Sequence, residues 1–210
     1  MEQQEGQEGY DAHIQNASAI LSQGGVVVYP TDTVYGLGAD ATNAHAVGRI
    51  RTIKGRAADT PILAMVRNVD MLRSYAELTP LAEALAAALL PGQLTLVLTP
   101  RNDALTSIAA PDGSVGFRIP DHPLCAALST SFERPITSTS VNRSGMPQPR
   151  TLSAMLDQLK EASELIDYTF DSGTLPASPP STIVDVRGDT PLIVREGAIS
   201  SDHIIHIIRS

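Results

Sequence analysis

The 210-residue sequence has a formal net charge of −8 and 42% hydrophobic residues, with a mean hydropathy near zero, the balance of a globular chain with a sizeable core. No apolar run approaches the roughly 20 residues needed to span a bilayer, and the acidic start "MEQQEGQEGY" lacks the basic and apolar regions of a signal peptide, so a cytoplasmic protein with no membrane partner is expected. The acidic balance weighs against nucleic acid as the main partner, and the single Cys125 excludes an intrachain disulfide and a cysteine-rich metal site.

Residues 1–9 read as a disordered tail, and residues 10–210 as a single domain without a long linker. "DAHIQNASAILSQGG" predicts a helix with Ile14, Ala17 and Leu21 inward, stopped by Gly24 and Gly25. "VVVYPT" reads as a buried strand that Pro30 ends or edges. The "PTDTVYG" that follows reads as a turn rich in turn-forming residues. "NAHAVGRIRTIKG" predicts a second helix, capped by Asn43, with Val47, Ile50 and Ile53 inward. "PILAMV" is a strand; "NVDMLRSYAEL" and "TPLAEALAAALLPG" are helices, the latter capped by Thr79 with Pro80 in its first turn. "LTLVLTP", "VGFRIP" and "PITSTS" are strands, with the short helix "DHPLCAALSTS" before the last. "TLSAMLDQLKEA" is a helix, "LIDYTFD" a strand, "STIVDVRG" and "LIVREG" a hairpin, and "SSDHIIHIIR" a closing helix. Strands and helices alternate at first and strands cluster later, which predicts a mixed α/β sheet. "GTLPASPPS" reads as a surface loop or flap.

No phosphate-binding P-loop, Rossmann glycine motif or nucleophile elbow is present, and the five histidines have no zinc-ligand spacing. No protein-caged metal is expected. The chemistry lies instead in polar stretches at strand and helix ends. Against thirteen arginines there are two lysines, and one of them, Lys54, sits in "RIRTIKGR". On a helical wheel it falls near the inward side. The pattern leaves two readings open: a lysine reaching an anion across the sheet end, or one freed into solvent where Gly55 ends the helix. Arg56 adds a guanidinium suited to oxyanions. Arg118 lies within the apolar strand "VGFRIP", so it pairs an internal acid or points into a cleft. In "ITSTSVNRSG", alternation puts Ser138 and Ser140 on one face and Thr137 and Thr139 on the other, followed by Asn142. Ser181 and Thr182 begin a late strand and Arg195 leaves another. A positive cleft in an acidic protein fits a polyanionic small molecule, with a nucleoside triphosphate as the natural candidate.

"GGVVVYPTDTVYGLGADA", "IKGRAADTPILAMV", "LLPGQLTLVL", "VGFRIPDHP", "SVNRSG", "STIVDV" and "VREGAI" resemble, in order from Ser18 to Ile199, the motifs of the YrdC-domain family of threonylcarbamoyl-AMP synthases. The resemblance is to short, single-domain members. It implies a YrdC/RibB-like fold: an open, twisted mixed sheet flanked by helices around a large concave cleft. It implies a nucleotidyltransferase that converts L-threonine, bicarbonate and ATP into threonylcarbamoyl-adenylate and pyrophosphate, with Mg brought in by ATP. Downstream transferase proteins would pass the product to tRNA. By the same resemblance, Lys54 and Arg56 are the catalytic pair that holds the phosphates. Thr33, Arg118, Ser138 and Ser181 would bind threonine, with Arg118 on its carboxylate. Thr60, Ser114, Ser140, Asn142, Gln148 and Arg195 would lie on the nucleotide side. Gly36 and Gly38 would keep the cleft wall low. Departures from the family pattern (Ala57 after the Lys-x-Arg signature, "STSVN", "PST" and "REG") remove no charged group.

The implied step needs positioning and charge neutralisation more than a covalent nucleophile. "GTLPASPPS" would be a lid keeping water from a labile carbamate. Two other readings compete. An RNA-binding module is disfavoured by net charge and few aromatics. A serine hydrolase using Ser138 or Ser140 lacks a nearby histidine in the sequence. A related protein of the same fold and other function is a further alternative.

Overall fold

The computed structural model describes residues 2–209. The chain runs α1 (Glu2–Ser22), β1 (Val27–Pro30), β2 (Tyr35–Gly38), α2 (Ala44–Lys54), β3 (Leu63–Met65), α3 (Val69–Tyr75), β4 (Ala76–Glu77), α4 (Pro80–Leu89) and β5 (Leu94–Pro100). It continues with β6 (Val115–Arg118), α5 (Pro123–Phe132), β7 (Ile136–Ser140), α6 (Leu152–Leu159), β8 (Tyr168–Thr169), β9 (Thr182–Asp185), β10 (Leu192–Arg195) and α7 (Ser201–Arg209). Short 3-10 turns cover Asp103–Ile108 and Lys160–Leu165.

The strands form one sheet in the order β10-β9-β5-β6-β3-β7-β2-β1-β8, with β4 on β5. Three pairs are parallel, β3 with β6, β5 with β9 and β1 with β8. The rest are antiparallel, so the sheet is mixed and open, flanked by helices, as the sequence predicts. Both faces are covered. Val26 and Val28 join one core with α2, α4 and α7. Val27 and Tyr29 join another with α1 and α5. The period of two sends alternate residues of "VVVY" to opposite cores, which is why this stretch is apolar without interruption.

Helix boundaries follow local chemistry. The Asn43 side chain accepts the N–H groups of His45 and Ala46 at the start of α2, and Thr79 accepts that of Ala82 at the start of α4, where Pro80 needs no partner. Gly55 ends α2 in the left-handed region at φ 59°.

Three elements differ from expectation. Helix α1 begins at Glu2, through the segment read as a disordered tail. The Glu and Gln residues there are good helix formers, and no proline interrupts them. The helix predicted to reach Leu78 ends at Tyr75, because buried Ala76 pairs with Pro100 at the sheet edge. Residues 35–38, read as part of a turn, are strand β2, folded back on β1 through the turn 31–34.

Of the β2 glycines expected to keep the cleft wall low, Gly36 lines the cavity and Gly38 does not, and both also serve the core. A Cβ on Gly38 would lie 2.6 Å from Cε1 of Tyr29 and 2.9 Å from Cγ2 of Ile136, and one on Gly36 would lie 2.8 Å from Cζ of Tyr29. The glycines make room for a fully buried aromatic ring, whose hydroxyl donates to the Thr137 carbonyl at 3.0 Å. Gly38→Ala is therefore expected to destabilise the fold by about 1–3 kcal/mol through overpacking. Thermal unfolding checks this, and an unchanged midpoint would contradict it.

Candidate active site

Strand β7 lies between β2 and β3, with Gly36 opposite Ser140 and Leu63 opposite Ser138. Strand β6 flanks β3 on the other side and places Arg118 opposite Met65. The ends of these strands, the 31–34 turn, the end of α2 and the 172–181 segment enclose a cavity of about 710 Å³. That volume suits a ligand larger than a single amino acid.

The 31–34 turn is locked by one hydroxyl. Thr31 Oγ1 accepts the N–H groups of Thr33 and Val34, each at 3.1 Å, and donates to the Val34 carbonyl at 2.7 Å. This aims Asp32 and Thr33 at Arg118. The Arg118 guanidinium donates to Asp32 Oδ1 at 2.7 Å, to Thr33 Oγ1 at 3.0 Å and to the Gly92 carbonyl at 3.2 Å. The side chains of Arg118 and Asp32 are only 7% and 12% exposed. The arginine in an apolar strand thus does both things the sequence allowed, pairing an internal acid and facing a cleft. Three of its five N–H groups are taken, leaving one on each terminal nitrogen for a further acceptor. Beside it, Arg195 donates to the carbonyl of Ser181 at 2.7 Å, and Ser181 shares a hydrogen bond with Thr95 at 2.9 Å. Burial, then the nearby Arg118, lowers the pKa of Arg195.

At the other end, Lys54 is 3% exposed. The inward reading holds and the solvent reading does not, because Gly55 turns the chain only after Lys54 has been set on the buried face of α2. Its ammonium donates to the Ser140 carbonyl, to the Asn142 carbonyl at 2.9 Å and to Asn142 Oδ1 at 3.1 Å. Lys54 therefore holds the 140–142 segment as well as charging the cavity wall. Burial, then the neighbouring Arg56, lowers its pKa to about 8. The Arg56 guanidinium donates to Thr139 Oγ1 at 3.3 Å. Thr139, assigned by alternation to the opposite face, is on the wall too. Ser140 Oγ donates to Asn142 Oδ1 at 2.5 Å, and Asn142 Nδ2 donates to the carbonyls of Arg143 and Met146. Gln148 donates to the Tyr35 carbonyl at 3.2 Å.

Ten of the twelve residues singled out from the sequence line this one cavity: Thr33, Lys54, Arg56, Arg118, Ser138, Ser140, Asn142, Gln148, Ser181 and Arg195. Two do not. Thr60 precedes the wall residue Pro61, and its carbonyl is held by Arg51 at 2.7 Å. Ser114 is buried, and its hydroxyl donates to Asp112 Oδ1 at 2.7 Å in the turn before β6. Among the described residues the wall holds no histidine, and no cluster of acids, histidines or cysteines is arranged to hold a metal. Cys125 lies on the buried face of α5, and burial raises its thiol pKa.

The sequence reading missed how the flap is held. Tyr35 Oη accepts the Ser172 N–H at 2.8 Å and donates to the Gly173 carbonyl at 2.9 Å. Arg150 donates twice to the Leu175 carbonyl, at 2.9 and 2.7 Å. The Gln93 amide joins the Asp32 carbonyl to Ser178 Oγ, at 3.2 and 3.0 Å. Leu175 and Ser178 of this flap line the cavity. Removing the Tyr35 hydroxyl (Tyr35→Phe) leaves the Ser172 N–H without its acceptor. Hydrogen exchange across 172–180 should then speed several-fold while the core strands keep their protection. Equal exchange in both proteins would remove the latch role.

The arrangement joins two positively charged ends in one chamber: a buried guanidinium with two free donors, and a lysine and arginine beside a hydroxyl-rich strand end. The sequence profile of the Sua5/YciO/YrdC family, described as "Telomere recombination", matches residues 19–197. A Bacillus subtilis protein named threonylcarbamoyl-AMP synthase is 35% identical over 94% of this chain and 57% of its own length. A Vibrio vulnificus protein of the same name is 34% identical over 89% of this chain and 99% of its own length. The crystal structure of Pyrococcus abyssi Sua5 complexed with L-threonine superposes with a TM-score of 0.84 at 32% identity, over 94% of this chain and 58% of that one. The chain thus spans little more than half of some relatives and nearly all of others. With its strand order, its cavity and its motif set agreeing with a profile match over most of its length, the chain belongs to the Sua5/YciO/YrdC family.

Proposed function

We propose that this protein is a threonylcarbamoyl-AMP synthase, with residues 10–210 acting as one catalytic unit in the cytoplasm. The observation that carries the reading is the single chamber, with a buried arginine offering two donors at one end and Lys54 with Arg56 at the other. L-threonine would place its carboxylate on Arg118, near Thr33 and Ser181. ATP would extend past Ser138, Ser140, Asn142 and Gln148 so that its phosphates meet Lys54 and Arg56, with Arg195 on the nucleotide side.

The threonine amine attacks the carbon of CO2 derived from bicarbonate and loses a proton, giving a carbamate. A carbamate oxygen then attacks the α-phosphorus, the bond from that phosphorus to the β-phosphate oxygen breaks, and pyrophosphate leaves. The protein's part is to align the two reactants and neutralise phosphate charge, which needs no nucleophilic side chain. Mg would enter with ATP, bound chiefly through the substrate phosphates. The flap at 172–180 would keep water from the carbamate. The adenylate would pass to a transferase that modifies tRNA, with at most weak tRNA contact by this acidic chain.

The test is pyrophosphate release from ATP with threonine and bicarbonate present, each omitted in turn. Release should require all three. Release that continues without threonine would discard the reading.

A further inference from the structure

Arg143 follows Asn142 and precedes Ser144 and Gly145, all three on the cavity wall. Its backbone is fixed on both sides. Its N–H donates to Gln158 Oε1 at 3.0 Å, its carbonyl accepts from Asn142 Nδ2 at 3.1 Å, and the next N–H, of Ser144, donates to the Lys54 carbonyl at 2.9 Å. The side chain is exposed, yet it does not trail into solvent. Its Nη2 lies 3.9 Å from where a Cβ of Gly55 would be, over the turn between Lys54 and Arg56. Among the described residues, no hydrogen bond or ion pair engages this guanidinium. Arg56 is the second cause of the lowered Lys54 pKa and Arg51 that of Arg56, and a carboxylate acts on neither. The Arg143 guanidinium over Gly55 thus sits between Lys54 and Arg56, at the edge of the cavity they line, in a protein whose net charge is −8. Such a group presents a strong site for a polyanion. Lys54 has its three protons on the 140–142 segment. Direct bonds to the outer oxygens of a triphosphate then fall to Arg56 and to a guanidinium not yet engaged.

We propose that Arg143 is a further cation of the nucleotide end, beside Lys54 and Arg56, binding the outer phosphates of ATP and then the departing pyrophosphate from the solvent side. This rests on the synthase reading and adds a residue to it. A guanidinium fits this role because its planar fork matches phosphate oxygens and stays charged across the working pH range. Its exposure fits a group that must release product.

Equilibrium binding of ATP, pyrophosphate and AMP to the wild type, Arg143→Ala and Arg143→Lys tests it without relying on turnover. Arg143→Ala should weaken ATP and pyrophosphate about tenfold and leave AMP unchanged, the scale of one charge-assisted contact at a wet site. Arg143→Lys should recover part of the loss. The difference between wild type and Arg143→Ala should shrink as salt rises. Unchanged ATP and pyrophosphate affinity in Arg143→Ala, or an equal loss for AMP, overturns the proposal. A wild type that binds pyrophosphate but releases none with threonine, bicarbonate and ATP would overturn the synthase reading while leaving a polyphosphate site at Arg143. A wild type that binds neither ATP nor pyrophosphate overturns both.

Discussion

Lys54→Ala should lower kcat/KM for ATP by roughly 10²–10³, the usual consequence of removing one fixed donor or charge from a phosphate-handling site. Two physical effects add here. One positive charge leaves the wall beside Arg56. In addition, the Ser140 and Asn142 carbonyls and Asn142 Oδ1 lose their common donor. An orphaned buried acceptor costs about 1–3 kcal/mol, so the 140–142 segment should loosen and the thermal midpoint should fall by several degrees. Lys54→Arg separates the two effects. It keeps the charge, but its planar fork cannot donate to all three acceptors as the ammonium does. It should therefore restore part of the ATP affinity and little of the stability. A Lys54→Ala enzyme with wild-type kcat/KM would remove Lys54 from the site altogether.

The same residue sets a pH limb. Burial and Arg56 lower its pKa from 10.5 to about 8. The lysine is then mostly charged at pH 7 and mostly neutral by about pH 9. A polyanion favours the charged form, so ATP should bind less well as pH rises through 8, and kcat/KM for ATP should fall there. With ATP bound, its phosphates push the pKa back up, and kcat should hold to higher pH. In Lys54→Arg the limb should vanish, because a guanidinium stays charged. A kcat/KM profile flat to pH 10 in the wild type would contradict the assignment.

Much of this site was legible in the sequence because charge in an apolar context is costly and so conspicuous. Arg118 between Phe117 and Ile119, and Lys54 on the inward face of α2, stood out for that reason. The hydroxyl-rich end of β7 stood out against its buried start. Thr60 and Ser114 do not line the cavity, and neither carries such a signal. The family pattern alone suggested them, and local bonds to Arg51 and Asp112 decide their surroundings. The flap latch was not legible either. Tyr35, Gln93 and Arg150 grip it across separations of 137, 85 and 25 residues, which no local spacing encodes. Gly36 and Gly38 read as keeping the cleft wall low, and Gly36 does line the cavity. Only the packing shows that both also make room for the protein's own Tyr29 ring. Strand β2 was hidden for the same reason, since two of its four residues are glycines.

The second large effect is expected at Arg118. Arg118 and Arg195 are neighbours, and Asp32 is the one carboxylate bonded to either among the described residues. Two guanidiniums against one acid leave this end of the cavity one positive charge in excess. A threonine carboxylate would complete the balance and take the two free N–H groups of Arg118. Arg118→Lys preserves the charge but has three donors where Asp32, Thr33, Gly92 and a carboxylate ask for more. The KM for threonine should rise about 10–100-fold, the scale of one or two charge-assisted hydrogen bonds, while ATP affinity stays near wild type. Arg118→Ala should do more harm to the fold. Asp32 Oδ2 already lacks a partner, and deleting the arginine would strand the whole carboxylate at a cost of about 3–5 kcal/mol. Adding Asp32→Asn to Arg118→Ala removes the stranded charge. The double variant should therefore unfold at a higher temperature than Arg118→Ala alone, yet bind threonine no better. Recovery of threonine binding along with stability would mean that Arg118 only neutralises Asp32. Stability without binding would mean that the carboxylate of the substrate sits on the guanidinium, with Asp32 there to keep it charged and in place.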